Sequence, residues 1–152
     1  MGTKLKLEIK GLDELNARIT KLGGNTKDVA EQALKETHAF ITPKIHAAMK
    51  AHNRTGKTEG QIIDQAKVDW AGTVATLKAG FALSEGLTPI YLMHGTDPHV
   101  ITHADPRGTP RRHPGTRGDA KLKSAASISS NRSKIIKIQE DVFYNFIRRL
   151  GG

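Results

Sequence analysis

A stretch rich in proline and glycine, residues 94–118, constrains the fold of this 152-residue chain more than any other feature. It holds four of the six prolines and four glycines, so it can form neither a helix nor a regular central strand. Gly95 and Gly115 are expected at turns that a Cβ atom would hinder, and Pro98 and Pro114 should stiffen the chain. We therefore expect a long irregular excursion, or at most a loose hairpin, of the kind that is usually functional or disordered.

The chain before this excursion is patterned for regular structure. Residues 4–10 alternate between apolar and charged side chains, which is typical of a half-buried strand. Apolar residues then recur at helical spacing, first in a short helix that Gly23 ends and then in a longer helix capped near Asn25. Pro43 lies within the longer helix and should kink it or make it restart.

The next segments predict a β-hairpin, a linker and a last helix. Two β-like runs, residues 66–70 and 73–81, flank Gly72 and favour a hairpin turn there. After the excursion, residues 124–133 are small and polar, as in a flexible linker. Residues 134–150 carry a broad apolar face at helical spacing and predict a C-terminal helix.

Together these elements predict one α+β domain over residues 1–152. We expect a small, mostly antiparallel sheet to pack against the long kinked helix and the C-terminal helix, with a flexible basic arm at about residues 96–133. Hydrophobic residues make up 37% of the chain and aromatic residues only 5%, so burial between subunits would add to a modest core. The chain has no cysteine, which excludes disulfides and thiol chemistry. No apolar run reaches the ~18 residues of a membrane span.

Positive charge is concentrated in one segment. Residues 105–137 hold nine cations against two acids, which accounts for most of the net charge of +9. Such a segment suits contact with phosphates or with an acidic protein surface, or it serves solubility alone. It contains no aromatic residue to stack on bases, so a duplex backbone fits it better than a single strand.

Four histidines fall in or next to the same region: His94, His99, His103 and His113. A zinc or nickel site is conceivable, but neither a cysteine nor a nearby glutamate completes a ligand set. His99 or His113 beside arginines resembles the layout of a metal-free ribonuclease, which we keep as an alternative together with a plain nucleic-acid-binding protein. We predict no catalytic, cofactor-binding or metal-binding residue.

Short motifs then occur in a characteristic order. Residues 11–15 read Gly-Leu-Asp-Glu-Leu, residues 54–56 read Arg-Thr-Gly, residues 95–101 read Gly-Thr-Asp-Pro-His-Val-Ile, and residues 113–117 read His-Pro-Gly-Thr-Arg. In this order they resemble the small neck and tail-completion proteins of long-tailed bacteriophages, the lambda gpZ-like minor tail components. The resemblance covers nearly all of the chain.

The resemblance implies a structural virion protein and not an enzyme, made in the host cytoplasm and located at the head–tail junction. The implied partners are further copies in a hexameric or dodecameric ring, the tail terminator or tail tube, the head-closure connector proteins and the double-stranded DNA that passes through. Neither a cofactor nor a membrane is implied. The residues expected to carry these contacts are Gly95, Thr96, Pro98, His99, His113, Pro114, Gly115 and Thr116 in a motif loop, and Arg107, Arg111, Arg112, Arg117, Lys121 and Lys123 in the basic arm.

Overall fold

A computed structural model of the chain describes residues 3–7, 17, 19–21, 24–52, 56–102 and 110–150. Some features predicted from the sequence fall wholly or largely outside these residues. They are the end of the first strand at residues 8–10, the Gly-Leu-Asp-Glu-Leu motif, the short helix before Gly23, the Arg-Thr pair of the Arg-Thr-Gly motif, and the placement of His103 and Arg107.

A three-stranded antiparallel sheet forms from β1 (Thr3–Leu7), β2 (Val68–Ala71) and β3 (Val74–Ala79), with β3 in the centre. The predicted hairpin is confirmed, because β2 and β3 are joined at Gly72, whose φ is +62°. Alternate residues of β3, including Leu77, are buried, as the period of two along a strand requires. The sheet therefore has one apolar face.

The long helix α1 (Thr26–Met49) packs against that face. Its N-cap is Asn25, whose side-chain oxygen accepts a hydrogen bond from the Lys27 amide at 2.9 Å. The helix continues through Pro43 and does not restart there. Pro43 is exposed, whereas Ile41 and Ile45 are buried. This buried side keeps both halves of the helix packed against the core.

Three further helices follow the sheet: α2 (Thr88–His94), α3 (Ala120–Ala126) and α4 (Ile128–Leu150). Single 3-10 turns lie at Lys50–His52, Glu59–Gln61 and Leu83–Glu85. The predicted linker at 124–133 is wrong, because these residues form the end of α3 and the start of α4. The buried side chain of Asn131 offsets the weak helix propensity of the serine-rich stretch by donating to the Ser127 carbonyl four residues earlier.

The core lies around α1, which contacts β3, α3 and α4. The main buried cluster combines large aliphatic residues of α1 with one face of the sheet and with the two last helices. Its larger members are Leu34, Ile41, Ile45, Met49, Ile62, Leu77, Phe81, Leu122 and Ile135. A smaller cluster, in which Val29 and Ala33 meet Val142, joins the first half of α1 to α4. The predicted α+β arrangement of a small sheet with a long helix and a C-terminal helix is confirmed.

Candidate functional site

The proline- and glycine-rich excursion is one long hairpin in the described residues. Its strands are β4 (Gly95–Thr96), β5 (His99–Ile101), β6 (Arg111–His113) and β7 (Thr116–Arg117). β4 pairs with β7 and β5 pairs with β6, both antiparallel. We call residues 95–117 the motif hairpin, because it is built from the two motif segments that carry the family resemblance.

The two ribbons of the motif hairpin share a single register. The inner ribbon pairs Thr96 with Thr116, and the outer ribbon pairs His99 with His113. Two residues separate the ribbons on each strand, so the register is unchanged across the gap and Pro98 lies opposite Pro114. The ladder is interrupted there because proline has no amide hydrogen to donate.

The base of the motif hairpin requires glycine at two positions, one on each strand. Gly95 and Gly115 have φ angles of +77° and +83°, which side chains with a Cβ atom rarely adopt. A Cβ on Gly95 would overlap the carbonyl oxygen of Thr116, and a Cβ on Gly115 would overlap that of Thr96. The predicted need for glycine is confirmed and its cause is the close approach of two backbones, but the predicted turns are wrong, because Gly95 begins β4 and Gly115 lies between β6 and β7.

Polar side chains hold the same junction. The Thr116 amide donates to Thr96 Oγ1 at 3.1 Å, and the two threonine hydroxyls lie 3.1 Å apart. Cross-strand pairs of this kind stabilise antiparallel ribbons. The two motif threonines thus form one hydrogen-bonded pair, although 20 residues separate them in the sequence.

The two motif histidines stack on each other. The ring centroids of His99 and His113 are 4.9 Å apart, with an angle of 28° between the planes. His99 Nδ1 donates to the Asp97 carbonyl at 2.8 Å, and His113 Nδ1 accepts from the Gly115 amide at 3.0 Å. Each ring therefore forms a hydrogen bond with the backbone of its own strand, beside the prolines that interrupt the ladder.

This stacked arrangement bears on the chemistry considered for His99 and His113. In both rings Nδ1 is hydrogen-bonded to the backbone, at Asp97 and at Gly115, so acid–base chemistry on a substrate would fall to the Nε2 atoms. Within the described residues, no group of three histidine or acidic side chains lies close enough to hold a metal ion.

The base of the hairpin is fixed to the body through Asp119. Its backbone amide donates to the Leu92 carbonyl at 2.7 Å, and its carboxylate caps α3 by accepting from the Lys121 and Leu122 amides. The second carboxylate oxygen lies 2.6 Å from His52 Nε2. The hydrogen bond from His52, followed by those from the backbone, lowers the pKa of Asp119. Sequence reasoning missed this capping residue, although an aspartate directly before a helical segment is a recognised signal.

The predicted basic residues are held on regular structure, unlike the flexible arm that the sequence suggested. Arg111 and Arg112 lie on β6, Arg117 lies on β7, and Lys121 and Lys123 lie on α3. All five side chains are exposed. The cations therefore lie on regular elements of the ribbon and the body, with the consecutive Arg111 and Arg112 on opposite faces of the ribbon.

Apolar side chains are exposed on the same ribbon and on α4. Val100 of β5 is 59% exposed, and Ile101 beside it is also exposed. On α4, Ile136, Tyr144 and Ile147 are exposed as well. Large apolar side chains on a projecting ribbon and on a helix flank are typical of surfaces that contact another protein.

Comparison with known proteins gives no relative from which a function could be transferred. No family model, no characterised protein and no solved structure matches this chain. Among the residues described, no helix combines the length and apolarity needed to span a bilayer. The case for a function therefore rests on the motif hairpin and its surroundings.

Proposed function

We propose that this protein is a structural component of the head–tail junction of a long-tailed bacteriophage, where it forms a ring that joins the tail to the head connector and lets DNA pass. The observation that carries the proposal is the pairing of the two motif segments. Gly95 and Thr96 of one motif pair with Arg117 and Thr116 of the other across one ladder, so the two motifs form a single structural unit, the motif hairpin. The resemblance to tail-completion proteins thus involves residues that act together in space.

The surface of the monomer supports assembly with other proteins. Val100 on the outer ribbon and Tyr144 on α4 leave apolar area open to solvent, at 59% and 69% exposure. Contact between subunits would bury such side chains and stabilise a ring, as in other cyclic oligomers. The proposed partners are further copies of the chain, the tail terminator or tail tube, and the head-closure connector.

The fixed cations suit a position beside passing DNA or beside acidic neighbours. Arg111 and Arg112 are exposed on the ribbon, and Lys121 and Lys123 are exposed on the body. Phosphate contacts of this kind are independent of sequence and weaken with salt, which allows DNA to slide. The proposed role is assembly, and catalysis forms no part of it.

The test is electron microscopy and mass measurement of the purified protein, alone and with tail tubes. We expect discrete rings, or caps on the ends of tubes. The double variant Arg111→Glu/Arg112→Glu should lose the capping of tubes while keeping the thermal transition of the wild type. The matched control Lys67→Glu/Lys78→Glu changes the charge equally at exposed sites of the sheet region and should still cap.

Two outcomes would contradict the proposal. One is a monomer that ignores tubes at every concentration, and the other is a set of particles that join heads to tails normally without this protein. Incubation with RNA and DNA, with and without EDTA, tests the alternative of a metal-free ribonuclease. Cleavage that His99→Ala or His113→Ala abolishes would favour that alternative.

A further inference from the structure

A cleft of about 610 Å³ lies between α1 and the start of the C-terminal helices. Alanines of α1 and α3 form its walls, and its polar side chains are Lys44, Lys121, Ser124 and Asn131. Among the residues that the structure describes, no carboxylate lines it. The cleft is thus an apolar depression with a cationic rim, separate from the motif hairpin.

A buried hydrogen-bond network fixes one side of this cleft. Asn131 is only 8% exposed, and its Nδ2 donates to the backbone carbonyls of Ser124 at 3.0 Å, Ala125 at 3.4 Å and Ser127 at 2.8 Å. The reverse orientation of the amide would set its oxygen against three carbonyl oxygens. The side-chain oxygen of Asn131 must therefore face Lys44.

Lys44 is held at the end of that network. Its Nζ donates to Asn131 Oδ1 at 2.9 Å and lies 4.1 Å from the centroid of the Phe40 ring. Neither partner carries a negative charge, and in the described part of the chain no carboxylate forms an ion pair with Lys44. The ammonium is therefore held in position before a ligand binds, and it is available to pair with an anion from outside the chain.

We propose that this cleft is a docking site for an acidic segment of a partner protein, which inserts an aliphatic side chain between the alanine walls and places a carboxylate on Lys44 and Lys121. The charge of the rim selects the carboxylate, and the apolar walls select the side chain beside it. A nucleic-acid backbone fits less well, because its phosphates would bring no apolar group to fill the depression. The inference goes beyond the proposed ring and does not depend on it.

The probe is a synthetic helical peptide of repeated Glu-Ala-Leu units, titrated into the full-length ¹⁵N-labelled protein. We expect chemical-shift changes centred on Lys44, Ser124 and Asn131. A peptide with Gln in place of Glu should bind roughly tenfold more weakly, the scale of one charge-assisted hydrogen bond. A short DNA duplex should leave these signals in place at physiological salt.

Three variants separate the cleft from general positive charge. Lys44→Ala should weaken binding of the Glu peptide roughly tenfold, and Ala48→Leu should block the cleft without changing its charge. Lys50→Ala removes a nearby exposed lysine that does not line the cleft and should bind as the wild type does.

Asn131→Ala tests the positioning role, since Lys44 remains but loses its fixed partner, and binding should weaken with the charge unchanged. If Asn131→Ala fails to fold, Lys44→Ala and Ala48→Leu decide the question. Equal binding of the Glu and Gln peptides, unchanged binding in Lys44→Ala, or displacement of the peptide by the duplex would each overturn the proposal.

Discussion

Replacing Gly95 by alanine tests whether close backbone approach holds the motif hairpin together. Gly95 has φ +77° and ψ −172°, a region that residues with a Cβ avoid at a cost of ~1–3 kcal/mol. The new Cβ would also overlap the Thr116 carbonyl oxygen and lie 2.7 Å from the Gly118 amide nitrogen. Both neighbours are backbone atoms, so the overlap adds the ~1–3 kcal/mol typical of overpacking. We expect a total cost of ~2–6 kcal/mol in pairing of the hairpin base.

Amide hydrogen exchange measures this free-energy cost at the base of the hairpin itself. Even the lower bound of ~2 kcal/mol raises the open fraction of the hairpin roughly thirtyfold, so exchange at the Thr116 amide should accelerate by at least that factor. Gly72→Ala is the matched control, because Gly72 has φ +62° with no atom within 4 Å of the added Cβ. It should cost ~1–2 kcal/mol near the sheet turn and leave Thr116 unchanged. Wild-type exchange at Thr116 in Gly95→Ala would refute the reasoning.

Three further predictions concern the body. Leu122→Ala should destabilise the protein by ~2–5 kcal/mol in urea titration, because Leu122 is fully buried, whereas exposed Ile136→Ala should stay within ~0.5 kcal/mol; equal losses would contradict the packing. The hydrogen bond to Asp64 raises the pKa of His46, so in Asp64→Asn the pKa of His46 measured by NMR titration should fall towards ~6.5. In the wild type, the stabilisation that the pair provides should be lost as pH rises through the raised pKa. Because folding lowers the pKa of Asp119, its carboxylate stabilises the folded protein above pH ~4, and this stabilisation is lost on acidification. Asp119→Asn should therefore lessen the fall in the free energy of unfolding at acid pH, and an unchanged fall would exclude that role.

The sequence predicted what local pattern determines. The strand at the start of the chain, the turn at Gly72 and the long helix α1 follow from spacing alone, and each is present. Sequence reasoning missed the helix α2 (88–94), although Pro89 at its first turn is a helix-start signal. Local signals of this strength can be used before any tertiary contact is known.

The remainder depends on contacts between distant residues. Thr96 pairs with Thr116 and His99 with His113, and no local rule predicts such pairing across prolines. Asn131 near the start of α4 is buried and accepts a hydrogen bond from Lys44 of α1, a contact that the serine-rich segment by itself does not reveal. A basic stretch that looks like a flexible arm is therefore largely β-ribbon and helix in the described residues.

The shared register of the two ribbons restricts how this protein can change in length. Adding or removing one residue on a single strand between Gly95 and Ile101 would shift every outer pair and move Pro98 away from Pro114. Only a compensating change on the returning strand would restore the alignment. Evolutionary insertions and deletions should therefore collect beyond Ile101 and before Arg111, where a change in length leaves the pairs of both ribbons in register.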